Sequence, residues 1–402
     1  MAKKRSRFIL YSGILILAFL LFDPFNVMPD RGVRRPGIDA ERATAMAQHL
    51  ETMHRSPEDY LLDTLQENRI VFLGTIGRIR QHAEFVAQMV EALPLSGVYT
   101  LAVDFLLADD QEVVDALVNA STFDRRTAAD LLLRRDVLFG FEDYVDVLEA
   151  VWHYNQGRPD GSEAIRVTAL SQRFNYAAIE TREDIQNPER MRAVLPDGPP
   201  DTYMANQILE RIVETDRRTL VFMRKPHALS GFNLSSVAEE MAELGFENVR
   251  PAGVQVREAV GDGVVTILLH GPWPDNSRMQ GMNYAADGYI EAVLDRLPDG
   301  LQRAGFSLGT DPLGSLGIRT TQLGDPENPR AFRDIADGYL VVERSARLAA
   351  SRVIPDFYTR ENIEYARQNF PGPPDDSMDE QSLQEYFRGI VQAFDRSLRE
   401  FR

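Results

Sequence analysis

Short apolar runs, each ending in a polar loop that hands over to helical spacing, recur along this chain, and that alternation constrains its fold more than any other feature. The clearest case spans Asn68 to Val86, where the run Ile70 to Leu73 reaches Gly74 and a polar turn before helical spacing begins near Gln81. Further runs end the same way: Val98 to Phe105, Ile165 to Leu170, Thr219 to Met223 and Val264 to His270. Strands separated by helices predict β-α units, and hence an α/β fold with a mainly parallel sheet flanked by helices. In such a sheet the loops leaving the carboxyl ends of the strands open on one side, and ligands bind there.

Composition permits a body of this kind. Of 402 residues, 44% are hydrophobic and 26% charged, enough for one large domain or two ordinary ones. A formal net charge of -17 excludes an extended nucleic-acid surface, which needs basic residues to neutralise phosphates. With no cysteine, disulfides, thiolate metal sites, a Cys nucleophile and a lipid-bearing Cys are all excluded.

At the amino end, Lys3, Lys4, Arg5 and Arg7 precede an apolar run from Phe8 to Phe22. Basic flanking residues favour the cytoplasmic side, so this run predicts a single-pass signal-anchor, residues 1–29, with the bulk of the chain extracytoplasmic, or periplasmic in a Gram-negative cell. A cleaved signal peptide is the competing reading, although Asp23-Pro24-Phe25-Asn26 offers no small-x-small cleavage site. Residues 30–66 then read as a linker and two packing helices, the second capped by Ser56 before Pro57. Residues 67–350 form the α/β domain, and 351–402 a peripheral helical extension ending in a helix from Gln381 to Phe401.

Within the domain, Asp109 and Asp110 are expected to cap the helix after the second strand. Ala128 to Asn155 reads as helical, with His153 and Asn155 at its end. Glu183 to Pro200 reads as a charged, proline-rich excursion and Gly300 to Gly324 as a glycine-rich connection. The latter contains Gly305-Phe306-Ser307-Leu308-Gly309, which matches the G-x-S-x-G elbow in letters but lacks a later His.

The stretch at 68–86 is similar to the first motif of the erythromycin esterase-like, ChaN (haem-binding uptake) and TIKI superfamily, where a strand ends in Gly-Glu-x-His before a helix. Leu73-Gly74 and Gln81-His82-Ala83-Glu84-Phe85 fit that motif, while Thr75 stands for the Glu and Gly77 for the His. Asp201-Thr202-Tyr203-Met204-Ala205 resembles a later Arg-Asp-x-x-Met-Ala pattern, with Pro200 in place of the Arg, and His227 resembles a His at the end of the following strand. Ala336 to Glu343 resembles the family's last strand, so the likeness runs from about Glu67 to Glu343.

Residues from four strand ends are thus expected to share one crevice. The resemblance implies His82, Asp104 and His227 as catalytic survivors, and as ligands if a divalent metal is retained. Thr75, Arg78, Arg173, Arg224 and Lys225 are expected to bind ligand, the cations suiting a carboxylate, a phosphate or a haem propionate. With the first-motif Glu and His absent, the leading expectation is a divergent relative without the ancestral catalysis, binding a small anionic ligand, haem or an envelope protein. A hydrolase of ester or amide bonds with a metal or general-base site is the alternative, and a structural envelope scaffold a third.

Overall fold

The structure, a computed structural model, describes residues 37–232, 235–274, 282–309, 312–321, 323, 329–372 and 377–401. The apolar run Phe8 to Phe22, on which the membrane anchor was predicted, lies outside them. Among the described residues no helix is long and apolar enough to cross a membrane.

Seven strands form the central sheet: β1 (Ile70–Thr75), β2 (Thr100–Leu107), β3 (Arg166–Ser171), β4 (Thr219–Arg224), β5 (Val264–Leu269), β6 (Ala304–Ser307) and β7 (Gly338–Val341). Their order is β3-β2-β4-β1-β5-β7-β6, parallel throughout except that β6 runs antiparallel to β7 at the edge. The predicted mainly parallel α/β sheet is what the chain forms. β1 and β2 are buried along their whole length, as strands covered on both faces must be.

Side-chain alternation divides the core. Val71 and Leu73 of β1 and Leu220 and Phe222 of β4 join one large cluster, with residues of helices Arg80–Met89, Arg125–Arg135 and Glu142–Gly157. Ile70, Phe72, Val221 and Met223 face the opposite cluster, with residues of helices Pro200–Ile208 and Ala252–Val260. A third cluster packs helix Ala40–Thr52 against β6 and β7.

Local signals account for several boundaries. Ser56 caps helix Pro57–Glu67 as predicted, its hydroxyl accepting from the Asp59 amide at 3.0 Å. Asp110 precedes helix Gln111–Asn119 but does not cap it; its Oδ1 accepts from Arg134 at 3.1 Å instead. The segment from Ala128 to Asn155 is two helices, broken between Arg135 and Glu142. At the end of the second, the buried Asn155 amide ties the helix to β3, accepting from Ile165 N at 2.8 Å and donating to Ile165 O at 3.0 Å.

Two expectations are corrected. The glycine-rich connection contains strand β6, missed because Gly305 reads as a breaker; a Cβ there would lie 2.3 Å from Tyr60 Cβ, so the glycine admits a ring, not a turn. Ser307 therefore ends an antiparallel edge strand and no nucleophile elbow forms. The carboxyl-terminal part is not peripheral in its packing: Leu383, Phe387, Ile390 and Val391 of helix Glu380–Arg399 enter the main core cluster. Ahead of that helix, residues 349–354 bridge the starts of two helices, pairing Ile79 with Ala350 and Phe141 with Val353.

Candidate functional site

Strand order fixes where a crevice opens. From β2 the chain passes outward to β3, whereas from β4 it passes back across the sheet to β5, so the loops above the β2/β4 pair diverge. The same divergence occurs between β1 and β5. Divergent connections at the carboxyl edge leave a crevice between them.

β2 is irregular where it reaches this edge. Val103 pairs with Ala169 and Leu107 with Ser171, so four residues of β2 span two of β3. Such a bulge re-aims side chains. Here it presents Asp104, whose main-chain oxygen accepts from the Ser171 hydroxyl at 2.5 Å and from Arg135 Nε at 3.2 Å. The Asp104 carboxylate accepts from the Arg224 amide at 3.1 Å and from Arg224 Nε at 2.9 Å. Burial alone would raise this carboxyl, but Arg224 and His227 hold it below the usual range.

His227 lies three residues on, in the short helix Lys225–Ala228, which packs against Gly74 of β1; a Cβ at position 74 would sit 3.3 Å from Ala228 Cβ. Its Nδ1 donates to Asp201 Oδ1 at 2.9 Å, and the same oxygen accepts from Ala252 N at 2.9 Å. Both side chains are buried, and His227 Nε2 has no hydrogen-bond partner among the described residues. An aspartate holding Nδ1–H leaves the Nε2 lone pair for a proton or a ligand. Asp201 was thus absent from the expected site residues, although its place at the start of helix Pro200–Ile208 was readable; nothing in the spacing joined it to His227.

Three more buried groups complete this edge. Arg135 Nη1 and Tyr176 Oη lack partners among the described residues, as does Lys225 Nζ, which lies 4.6 Å from the Trp273 ring centroid. Burial and the neighbouring Arg224 charge pull the Arg135 guanidinium down from its ordinary value, while burial pushes the Tyr176 phenol well up. Burial likewise draws the Lys225 ammonium well below its ordinary value. Arg135 and Tyr176 were not among the expected site residues, because Arg135 reads from sequence as the basic last turn of a helix.

The remaining expected residues are taken up by the scaffold. His82 is fully buried; its Nε2 donates to the His270 carbonyl at 2.9 Å, and its Nδ1 accepts from the Thr75 hydroxyl at 2.8 Å. Burial lowers its pKa to about 3, so the ring is neutral. Neither nitrogen is left for a metal or a proton, and Thr75 also accepts from Gly77 N at 3.2 Å. Arg78 adopts a left-handed φ of 59°, and its carbonyl accepts from Ser351 N at 2.8 Å. Arg173 Nη1 donates to the Tyr365 hydroxyl at 2.9 Å.

The expected metal set is therefore not assembled. Among the described residues no three His, Asp or Glu side chains are placed to hold a metal ion. His82 is saturated, Asp104 is held by Arg224, and the charges beside His227 include Arg224, which repels a dication. A divalent cation does not fit these residues.

A second buried network lies on the β5 side. His270 Nε2 donates to Glu291 Oε1 at 2.9 Å, its Nδ1 meets the Tyr339 hydroxyl at 2.9 Å, and Ser345 Oγ lies 3.1 Å from Nε2. Serine and glutamate meet the same ring nitrogen, so this is not a nucleophile–base–orienter relay. Burial would raise Glu291, but hydrogen bonds from His270 and Ser345 hold it well below the carboxylate range. The network ties β5, β7 and helix Tyr289–Leu294 together.

The class these features define is an α/β protein with a cation-rich crevice at the carboxyl edge of a mainly parallel sheet. No family model matches the chain, and no curated protein matches it. Solved structures do resemble it. A Bacillus cereus protein aligns at 14% identity and a TM-score of 0.52, covering 79% of this chain and 100% of its own. A succinoglycan biosynthesis protein aligns at 11% identity and 0.51, with the same coverage. ChaN of Campylobacter jejuni, which binds haem cofacially, aligns at 13% and 0.34 over 52% of this chain and 85% of its own, too loosely to bear on the site. The first two likenesses establish the fold alone.

Proposed function

We propose that this protein binds a small anionic ligand, carboxylate or phosphate, at the carboxyl edge above β2, β3 and β4. The observation that carries the reading is the group of buried polar atoms without partners among the described residues: the donors Arg135 Nη1 and Tyr176 Oη, and His227 Nε2, which donates once the ring is protonated. Donors are rarely left unpaired inside a protein, and an anion supplies acceptors for all three. It would also relieve the repulsion that Arg224 exerts on Arg135.

Calorimetric titration with inorganic phosphate and with small carboxylates tests this. Arg135→Gln is expected to weaken binding by roughly 10- to 100-fold, the worth of a hydrogen bond to a charged group. Absence of binding by wild type at millimolar anion would overturn the reading.

One observation favours hydrolysis as a second reading. Asp201 orients His227 with Nε2 unpartnered, the arrangement a general base needs to draw a proton from water. Removing a general base commonly costs ~100- to 10,000-fold. Activated nitrophenyl esters should then be cleaved by wild type, and His227→Gln should lose that factor while binding phosphate within about tenfold of wild type. Equal rates in both proteins would exclude His227 as the base.

A further inference from the structure

Lysine usage sets one residue of this crevice apart. The chain has 41 arginines but only three lysines, Lys3, Lys4 and Lys225, so Lys225 is the single lysine among the described residues. It is also buried, and its Nζ has no hydrogen-bond partner among the described residues. Its position is the end of β4, between the two places where the loops diverge, against Trp273 just beyond β5.

Packing on an aromatic ring does not explain the choice. The other described cation–ring contacts all use arginine: Arg42 on Tyr289, Arg135 on Phe174, Arg192 on Phe246 and Arg330 on Phe232. Arginine is the better residue for that task. What lysine can do and arginine cannot is lose its proton near neutral pH and present a nucleophilic nitrogen. Buried, and with no carboxylate or other hydrogen-bond partner among the described residues to hold its charge, this amine sits where burial favours the uncharged form.

We propose that Lys225 Nζ forms a reversible imine with a small carbonyl compound that carries a carboxylate, such as a 2-oxo acid. The choice of a carboxylate-bearing partner rests on the anion-binding reading above; the nucleophilic amine does not. In the step, the Nζ lone pair attacks the carbonyl carbon and one proton moves from nitrogen to the carbonyl oxygen. The nitrogen's second proton then moves to the resulting hydroxyl, which leaves as water while the C=N bond forms. No oxidant or reductant is required, and hydrolysis reverses it.

The test is reductive trapping on the full chain. Glyoxylate and sodium cyanoborohydride are added at neutral pH, and peptides are mapped by mass spectrometry. Carboxymethylation at Lys225 is expected to saturate with glyoxylate and to run at least roughly tenfold faster than at Lys3, Lys4 or the terminal amine, whose protonation slows them. Lys225→Met, which keeps an unbranched stem on Trp273, should lose that adduct while retaining the wild-type melting profile. Modification confined to the other amines, or none at all, overturns the proposal. Phosphate separates the two readings: trapping at Lys225 that phosphate does not slow sinks the anion reading and keeps the amine. Phosphate binding without trapping at Lys225 does the reverse.

Discussion

At the scale of single residues, the crevice is divided between side chains that are spent and side chains that are not. His82 is spent: two hydrogen bonds fix its neutral form at the junction of β1, the helix after it and the His270 carbonyl. Its folded pKa, about 3, lies below the ordinary value of ~6.5, so the unfolded chain takes up a proton that the folded one refuses. The resulting stability is fully present above ~6.5 and is lost as pH falls toward the folded value, by on the order of 1 kcal/mol per pH unit. Urea melts at pH 7 and pH 5 should show that loss in wild type and a smaller one in His82→Gln. An undiminished pH dependence in the variant would assign it elsewhere. Asp104 is spent on Arg224, whereas His227, Arg135 and Lys225 each keep a nitrogen with no partner among the described residues.

Secondary-structure elements were the most legible level, with failures where packing overrides propensity. Five of the seven strands were readable because buried parallel strands are short continuous runs of apolar residues, and β7 was expected from the likeness of Ala336 to Glu343 to a family's last strand. β6 was hidden by Gly305, which is there to admit Tyr60. The last helix was legible as a helix, but its hydrophilic composition concealed its contribution to the core. Phe387 is fully buried, 5.3 Å from Phe141 and 6.3 Å from Phe357 by ring centroid. Phe387→Ala should cost ~3–5 kcal/mol, the usual range for a buried aromatic truncated to alanine. Chemical denaturation would read this as a lowered midpoint for the whole transition; an unchanged midpoint would return the helix to the periphery. Asp143 anchors the same region, its carboxylate accepting from Arg352 N and Nε, both at 2.7 Å.

For the whole molecule, the sequence by itself determined the fold class. Apolar runs spaced by helices leave few ways to bury both faces of each strand, and a mainly parallel sheet is the one that short crossovers allow. It also determined that Asp104, Arg224, Lys225 and His227 would reach one edge, because strand ends in a parallel sheet point the same way. Tertiary structure alone decided which of them meet. The insertion of β4 between β2 and β1 sets Arg224 against Asp104, 120 residues earlier in the chain, and the bulge in β2 turns that carboxylate toward it. Packing of helices Pro200–Ile208 and Ala252–Val260 on one face brings Asp201 to His227. Local spacing records the residues a strand or helix will carry, whereas strand order and register are settled by contacts among distant segments, and those contacts separate the buried groups that hold the scaffold from the ones left with a nitrogen to offer.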